Sequence, residues 1–554
     1  MSQPSDDGTR QERTVDVVVM GSGGGGLLAA LTVARAGGSV VLVEKASTIG
    51  GTTAVSGGVI WVPCNHRMAE AGVSDSRDAA LTYMKRIADG RAPDELIERY
   101  LDAAPEMVRY VEAETEIQFT AMPSYPDYHP EFPGGVTGGR SLDNGLFDTT
   151  TLGAWQPKLR KNPITGRMPI SIPEAMGWGV FWNPFGAPYQ EVSARAKAGI
   201  VHGGAGLCGK LLKALLAAGV EPLLETPGEH LVVEDGRVVG LDVRQEGAPL
   251  RLRARKGVIL ASGGFEWNET YRKAFLPLEL THPVSPPQNT GDGLRMAMSV
   301  GAELGNMGEA WWTPAVALPG ETYDGAPLYR SEFSVRCLPH SILVNRRGQR
   351  FTNESHNYND MTKPYFHHDP VAYDRPNVPA WLMVDQQYLD KYVLITAVKG
   401  RPLPDWLIVA DSLAELAEKT SVDPAGLAAT VERFNGFARA GVDPDFRRGE
   451  SAFDQFYGDP RQREQGGSPS LGTLEKAPFY AVQLHPGAMG TKGGPKTDVD
   501  GRVLHAEGGV VDGLYAVGNA AASVAGPGYP GAGMTIGASM TFGYLAAKHA
   551  MLRA

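Results

Sequence analysis

Hydrophobic residues near the start of the chain fall in unbroken runs instead of alternating with polar ones. The run Val15-Asp16-Val17-Val18-Val19-Met20 is dense in β-branched residues, which predicts a strand buried on both faces of a parallel sheet. Residues Leu27 to Ala36 have helix-forming composition and Ser39 to Glu44 reads as a second buried strand, so this segment is a βαβ unit. The polar stretch Met1 to Thr14 ahead of it is expected to be frayed. Further on, Asp235-Gly236 separates the apolar runs His230 to Glu234 and Arg237 to Val243 and predicts a two-residue hairpin turn. Gly257 to Ala261 then runs into Ser262-Gly263-Gly264, a second strand-to-glycine turn, and a helical region spans about 76–114. The aromatic, proline-rich stretch 122–188 predicts loops around a cavity. The section 305–480 carries more aromatics, His and Pro with few long apolar strands, which predicts a separate substrate domain. The tail 485–554 returns to glycine-rich strand-turn-helix text, so the first domain is expected to be discontinuous: residues 1–304 with 485–554, around an insert at 305–484.

Composition narrows the function classes. With 42% hydrophobic and 21% charged residues the chain is globular, and its 69 Gly and 40 Pro follow no collagen-like period. The balance of 52 basic against 62 acidic residues, net −10, has no Lys/Arg tract, so no nucleic-acid partner is expected. Cys64, Cys208 and Cys337 lie far apart in no C-x-x-C arrangement, which argues against a disulfide framework or zinc site and for a reducing cytoplasm. No window approaches about 18 uninterrupted apolar residues, so no integral membrane segment is expected, while peripheral membrane contact stays open. The neighbours His367-His368-Asp369, with His356 nearby, suggest a metal, but adjacent histidines diverge by about 100° on a helix and no metal is expected.

The glycine cluster carries the first chemistry. Gly21-Ser22-Gly23-Gly24-Gly25-Gly26 completes G-x-G-x-x-G between the first strand and its helix, and Glu44 closes the second strand. Gly21 makes the tight turn, Gly23 lets backbone approach a pyrophosphate at the positive end of the helix, and Gly26 allows close packing. Glu44 is placed to accept from ribose hydroxyls, and an acid at this spacing favours a nucleotide over a merely structural turn. A second cluster, Lys45 to Gly50-Gly51-Thr52-Thr53 and then Ser56-Gly57-Gly58, follows directly, and the tail supplies another strand into glycine at Gly513 to Asn519. A cofactor with two ends to hold points to a flavin over a nicotinamide.

Together with Gly490-Thr491-Lys492-Gly493-Gly494, these motifs resemble the 3-ketosteroid dehydrogenase branch of the fumarate reductase/succinate dehydrogenase-type flavoproteins, over nearly the whole chain. The resemblance implies an α/β architecture with a discontinuous Rossmann-like FAD-binding domain and an inserted α+β catalytic domain. It implies non-covalent FAD, since 50–58 contains no His, with further contacts at Val232, Ala261, Gly263, Gly518, Asn519, Gly533, Thr535 and Ile536. The activity it implies is removal of a hydride and a proton from adjacent ring carbons of a ketone, a 3-oxosteroid or a smaller ring such as cyclohexanone. The electrons then pass to an external acceptor: a quinone, oxygen or a redox protein.

The stretch Gly528-Tyr529-Pro530-Gly531-Ala532-Gly533 resembles the family's Tyr-Pro-Gly motif, which implies that the Tyr529 hydroxyl and the Gly533 amide bind the ketone oxygen and stabilise the developing enolate. Pro126-Asp127-Tyr128-His129-Pro130 resembles the segment that brings in a second tyrosine, which makes Tyr128 a candidate for proton transfer. The family's third tyrosine stands in an Arg-Tyr-x-Asn-Glu context, where this chain has Arg350-Phe351-Thr352-Asn353-Glu354. The missing hydroxyl implies a relocated base, Tyr128 first and Tyr189 next, with Tyr189, Tyr358 and Tyr365 all possible replacements that are each more readily structural when taken singly. A relocated base implies in turn a smaller or differently oriented ketone than a Δ1-desaturated steroid. Trp311-Trp312 and Phe181-Trp182 are candidate cavity walls. Two alternatives compete: a fumarate reductase-like enoate reductase, which needs cations where 526–531 has none, and a non-catalytic scaffold, which the intact phosphate-binding glycines oppose.

Overall fold

The opening apolar run forms the strand Gln11–Met20, which pairs in parallel with Val40–Val43 on one side and Ala248–Leu260 on the other. Ala248–Leu260 pairs in turn with Val510–Ala516, so residues nearly 500 positions apart share a seven-stranded sheet. The computed structural model describes residues 11–553. Residues 1–10 of the expected leader lie outside it, and residues 11–14 are paired with 250–253 instead of frayed. The Asp235-Gly236 turn joins Gly228–Glu234 to Arg237–Gln245, with both turn residues at positive φ (49° and 76°), as a tight hairpin requires.

Hydrogen-bond register aligns the ends of the parallel strands. Met20 stands opposite Val43 and Leu260, and Leu260 opposite Ala516. The helix Gly24–Arg35 covers this sheet together with the last helix, Met534–Leu552. Glycine makes their approach possible: a Cβ on Gly26 would stand 1.9 Å from the Gly21 carbonyl oxygen, and one on Gly25 2.5 Å from that of Ser539.

A second seven-stranded sheet is centred on Ala310–Tyr323 and Phe479–Thr491, with Ala380–Asp385, Ser341–Val344 and Ala326–Ser331 beside them. This corrects the expectation of few long strands in the middle of the chain, since these two run to 14 and 13 residues. Pro314, Pro486 and Gly487 interrupt the apolar text of both, yet Pro314 stands opposite Pro486 and Gly487 opposite Thr313 in unbroken register. Phe479–Thr491 also runs straight through residue 485, where the sequence suggests the return to the first domain. Among the described residues no helix is long and apolar enough to cross a membrane.

A buried ion-pair network anchors the segment that leads to Tyr128. Arg140, with 1% of its side chain exposed, bonds Asp75 at 2.6 and 2.9 Å and Asp127 at 2.7 Å, and the Trp61 indole donates to Asp127 at 2.8 Å. Replacing Arg140 with Met leaves two buried carboxylates uncompensated and is expected to cost about 3–5 kcal/mol of stability. Urea unfolding checks this, and a loss below about 1 kcal/mol would show that the acids find other partners.

Candidate active site

A cavity of about 530 Å³ opens where the parallel strands end. The residues that follow the aligned ends, Gly21, Glu44, Ala261 and Val517, all face it, the position at which open parallel sheets bind ligands. Of the expected cofactor residues, Gly21, Ser22, Gly23, Glu44, Lys45, Gly51, Thr52, Thr53, Ser56, Gly57 and Gly58 line the cavity, as do Ala261, Gly263, Asn519, Gly533, Thr535 and Ile536. Gly24, Gly25 and Gly26 lie behind the wall in the first helical turn, where the Gly24 amide donates to Thr53 Oγ1 at 3.0 Å. Gly50 and Gly518 also sit behind it, Gly50 donating to Ser22 Oγ at 3.0 Å and Gly518 packed under Ser539. Val232 is buried in the hairpin opposite Gly240, and the cavity is reached instead by Thr226 and Gly228 upstream of it.

These residues fit a dinucleotide. A Cβ on Gly23 would meet nothing nearer than Thr53 Oγ1 at 3.4 Å, so protein packing does not demand glycine there and the free space belongs to the cavity. The Glu44 carboxylate is fixed by the Ser22 amide (3.1 Å) and hydroxyl (2.6 Å) and by the Ala46 amide (2.9 Å), with lone pairs left for hydroxyl donors. Lys45 bonds Asp292 at 2.6 Å and Thr290 at 2.7 Å. Arg160, nearly buried, reaches across to Asp324 (2.6 Å) and the Tyr323 hydroxyl (2.8 Å) at the turn that joins Ala310–Tyr323 to Ala326–Ser331 in the second sheet. Every cation lining the cavity therefore has its own acid. Burial lowers the one lining imidazole, His202, to about 4, so it is neutral.

The far wall is built of phenols. Gly533 caps the last helix with φ 98°, and a Cβ there would stand 2.5 Å from the Val59 carbonyl oxygen, so only glycine ends this turn. The turn aims Tyr529 at its own end: Thr535 Oγ1 donates to the Tyr529 hydroxyl at 3.2 Å, and the Gly533 amide faces the same oxygen. The Tyr529 proton thus remains free for an acceptor in the cavity. Tyr128 and Tyr358 share a 2.5 Å hydroxyl contact, and both rings pack edge-on against Tyr529, at 4.9 and 5.7 Å. Burial pushes the pKa of all three above the ordinary phenol value; hydrogen bonding with Tyr128 lowers that of Tyr358 and with Tyr529 raises it, while Thr535, Tyr358 and Gly533 lower that of Tyr529.

Three expectations are corrected here. Tyr358, read singly as more readily structural, lines the cavity beside Tyr128 and Tyr529. Phe351 packs edge-on against Tyr365 (5.1 Å) in the core of the inserted domain and does not line the cavity, so a missing hydroxyl there removes nothing from the site. Tyr189 is 48% exposed and donates to the Pro184 carbonyl at 2.9 Å, outside the cavity. Of the proposed walls, Phe181 faces the cavity, whereas Trp182 lies under Arg461 and Trp312 against Phe366. Trp311 works from behind, donating to Asn519 Oδ1 at 2.9 Å and packing on Tyr529 at 4.6 Å.

Two charged groups hold the tyrosines from outside. Lys492 is fully buried, and its ammonium donates to the carbonyls of Pro527 and Gly528 at 2.8 Å and to Asn359 Oδ1 at 3.3 Å. It also stands 4.4 Å over the Trp311 ring, so one cation ties the Tyr529 turn to the residue after Tyr358. The second group is the cluster of His129, His356 and Asp360, whose ligand atoms lie within 4.8 Å of one another. The Asn357 side-chain amide donates to Asp360 at 3.0 Å and lies 3.3 Å from the Nε2 atoms of both His129 and His356. Burial lowers His129, but the Asp360 and Glu131 carboxylates outweigh it and raise the imidazole to about 9. The sequence motif marked Lys492, but neither its partners nor the pairing of His356 with His129 was visible, because both join segments more than 30 residues apart.

Comparison with known proteins agrees with this geometry. The FAD binding domain family matches residues 16–536. A 4-oxocyclohexanecarboxylate 2-dehydrogenase of Sinomonas cyclohexanicum is 44% identical over 542 residues, covering 97% of this chain and 92% of that protein. A 3-oxosteroid 1-dehydrogenase of Mycolicibacterium smegmatis is 43% identical, covering 96% of each chain. Among solved structures, the 3-ketosteroid Δ1-dehydrogenase of Sterolibacterium denitrificans in complex with 1,4-androstadiene-3,17-dione superposes with a TM-score of 0.90 at 37% identity, covering 97% of this chain and 99% of that one.

Lys492 generates a test of the wall. Burial lowers its pKa from 10.5 to about 7, so between those values the unfolded chain binds a proton that the folded one does not. Stability relative to a Lys492→Met variant is therefore expected to rise with pH across that window and to be lowest below pH 7. Urea midpoints of the two proteins from pH 6 to 10 measure it; parallel curves would show that the ammonium keeps its charge throughout. The same variant is expected to lose about tenfold or more in turnover through loosening of Tyr529, with flavin content unchanged.

Proposed function

For a chain that belongs to the FAD binding domain family and is an FAD-dependent dehydrogenase of cyclic ketones, we propose a mechanism that assigns the ketone to Tyr529 and Gly533 and the proton to the Tyr128–Tyr358 pair. The observation that carries it is the convergence of these four groups on one wall of a cavity whose other end fits a dinucleotide.

The Tyr529 hydroxyl and the Gly533 amide donate to the ketone oxygen. As a proton leaves the adjacent ring carbon, negative charge grows on that oxygen, and two donors fixed in an apolar wall stabilise it more than the neutral ketone. Tyr358 takes the proton, because it stands between Tyr529, which holds the ketone, and Tyr128, whose hydroxyl at 2.5 Å can donate to the phenolate. Burial disfavours free phenolates, so the shared hydrogen bond is what makes the acceptor competent. Bound FAD supplies the acceptor for the hydride of the neighbouring carbon. Glu44 and the open face of Gly23 hold its nucleotide end, without a covalent link, and an external electron acceptor completes the cycle.

The substrate is a neutral ring ketone, 3-oxosteroid-type or smaller. A dicarboxylate would need cations free to pair with it, and both Lys45 and Arg160 already have acids. Phe351 lies outside the cavity, so it implies neither an unusual base position nor a smaller ketone.

Tyr529→Phe keeps the ring and removes one donor, with an expected loss of about 10²- to 10³-fold in turnover at saturating ketone. A change below about threefold would sink the assignment. Tyr358→Phe is expected to slow reductive bleaching of the flavin while ketone affinity stays nearly constant, since a base acts in the transition state. Bleaching at the wild-type rate would move the role to Tyr128. Acid precipitation is expected to release the yellow colour to the supernatant, and colour in the pellet would contradict non-covalent binding.

A further inference from the structure

A second pair of phenols faces the same cavity and has no part in the mechanism above. Tyr125 and Tyr457 are both buried and line it, and their hydroxyls stand 2.7 Å apart. Around them Phe456 packs on Tyr125 at 4.4 Å and Phe181 on Tyr457 at 5.2 Å, so the pair is a polar spot in an aromatic box. Two hydroxyls carry two protons, and the bond between them uses one. Among the described residues no other acceptor lies within reach of either oxygen, which leaves one O–H donor without a partner. A buried donor left unsatisfied costs free energy unless something in the cavity accepts from it.

We infer that Tyr125 and Tyr457 form a second hydrogen-bonding station, which selects ring ketones bearing a further neutral oxygen, a carbonyl or hydroxyl, remote from the reacting ketone. This rests on the ring-ketone reading above and adds the feature by which such ketones are told apart. Burial raises the pKa of both phenols, so both stay protonated and act as donors. The oxygen is neutral because Arg336, the cation whose charge reaches Tyr457, does not line the cavity and pairs with Glu332, and a carboxylate buried in an aromatic box without a cation of its own is strongly disfavoured. Either hydroxyl alone keeps a proton to donate, so removing the station takes both.

The test compares wild type with the double variant Tyr125→Phe/Tyr457→Phe, checked for unchanged flavin content. Anaerobic flavin reduction is followed with two substrate pairs, 4-hydroxycyclohexanone against cyclohexanone and androst-4-ene-3,17-dione against androst-4-en-3-one. A selective loss of about 3- to 10-fold in kcat/KM for the oxygenated member of at least one pair is expected, the size of one neutral hydrogen bond, and the pair affected gives the reach of the station. Equal losses within both pairs, or no loss, overturn the inference. A loss confined to 4-oxocyclohexanecarboxylate, run alongside, overturns the neutral oxygen. If no ketone reduces the wild-type flavin, the ring-ketone reading itself fails, which is a different outcome.

Discussion

Backbone register is the constraint on which the site depends. Four parallel strands end in one row because Met20, Val43, Leu260 and Ala516 are hydrogen-bonded neighbours. A slip of one residue in any of them would displace Gly21, Glu44, Ala261 or Val517 from the cavity, since side chains alternate across a strand. The buried Val, Leu and Ile that fill both faces of the sheet resist that slip, so the core fixes the cofactor contacts without touching them.

The ketone wall is arranged by a different logic. Its tyrosines come from three distant segments, at 125–128, 358 and 529, and no single sheet aligns them. They are aligned by buried charge: Arg140 fixes the approach to Tyr128 through Asp127, and Lys492 joins the turn of Tyr529 to the helix of Tyr358. Arg140 pairs with two acids and the Lys492 amino group reaches three acceptors, so each specifies one arrangement over nearby alternatives.

This difference explains what was legible in the sequence. The first strands, the Asp235-Gly236 hairpin and the glycine turn could be read because their signals are local: β-branched runs, a turn dipeptide, a fixed spacing to Glu44. The motif around Tyr529 was legible for the same reason, and the structure puts Gly533 at the positive φ that the motif needs. Tyr358 was legible only as one of several possible replacements for the hydroxyl missing at Phe351, seven residues earlier, because nothing in a one-dimensional text says which of the two faces a cavity. The available signal was the polar density of 353–360, where Asn357 caps a short helix and positions the next residue. The long strands of the inserted domain were hidden by proline and glycine at positions that tertiary pairing tolerates.

The place of Val510–Ala516 and Met534–Leu552 in the first sheet and its helical cover sets the timetable of biosynthesis. The glycine turn leaves the ribosome early, but the strand that flanks Leu260 and the helix that packs on Gly25 are made only after the whole inserted domain. Until then the sheet has an open edge and the cavity lacks a wall. Nascent chains that lack these elements therefore have no complete nucleotide site, and the site can close on its cofactor only once Val510–Ala516 and the helix after it have joined the first sheet.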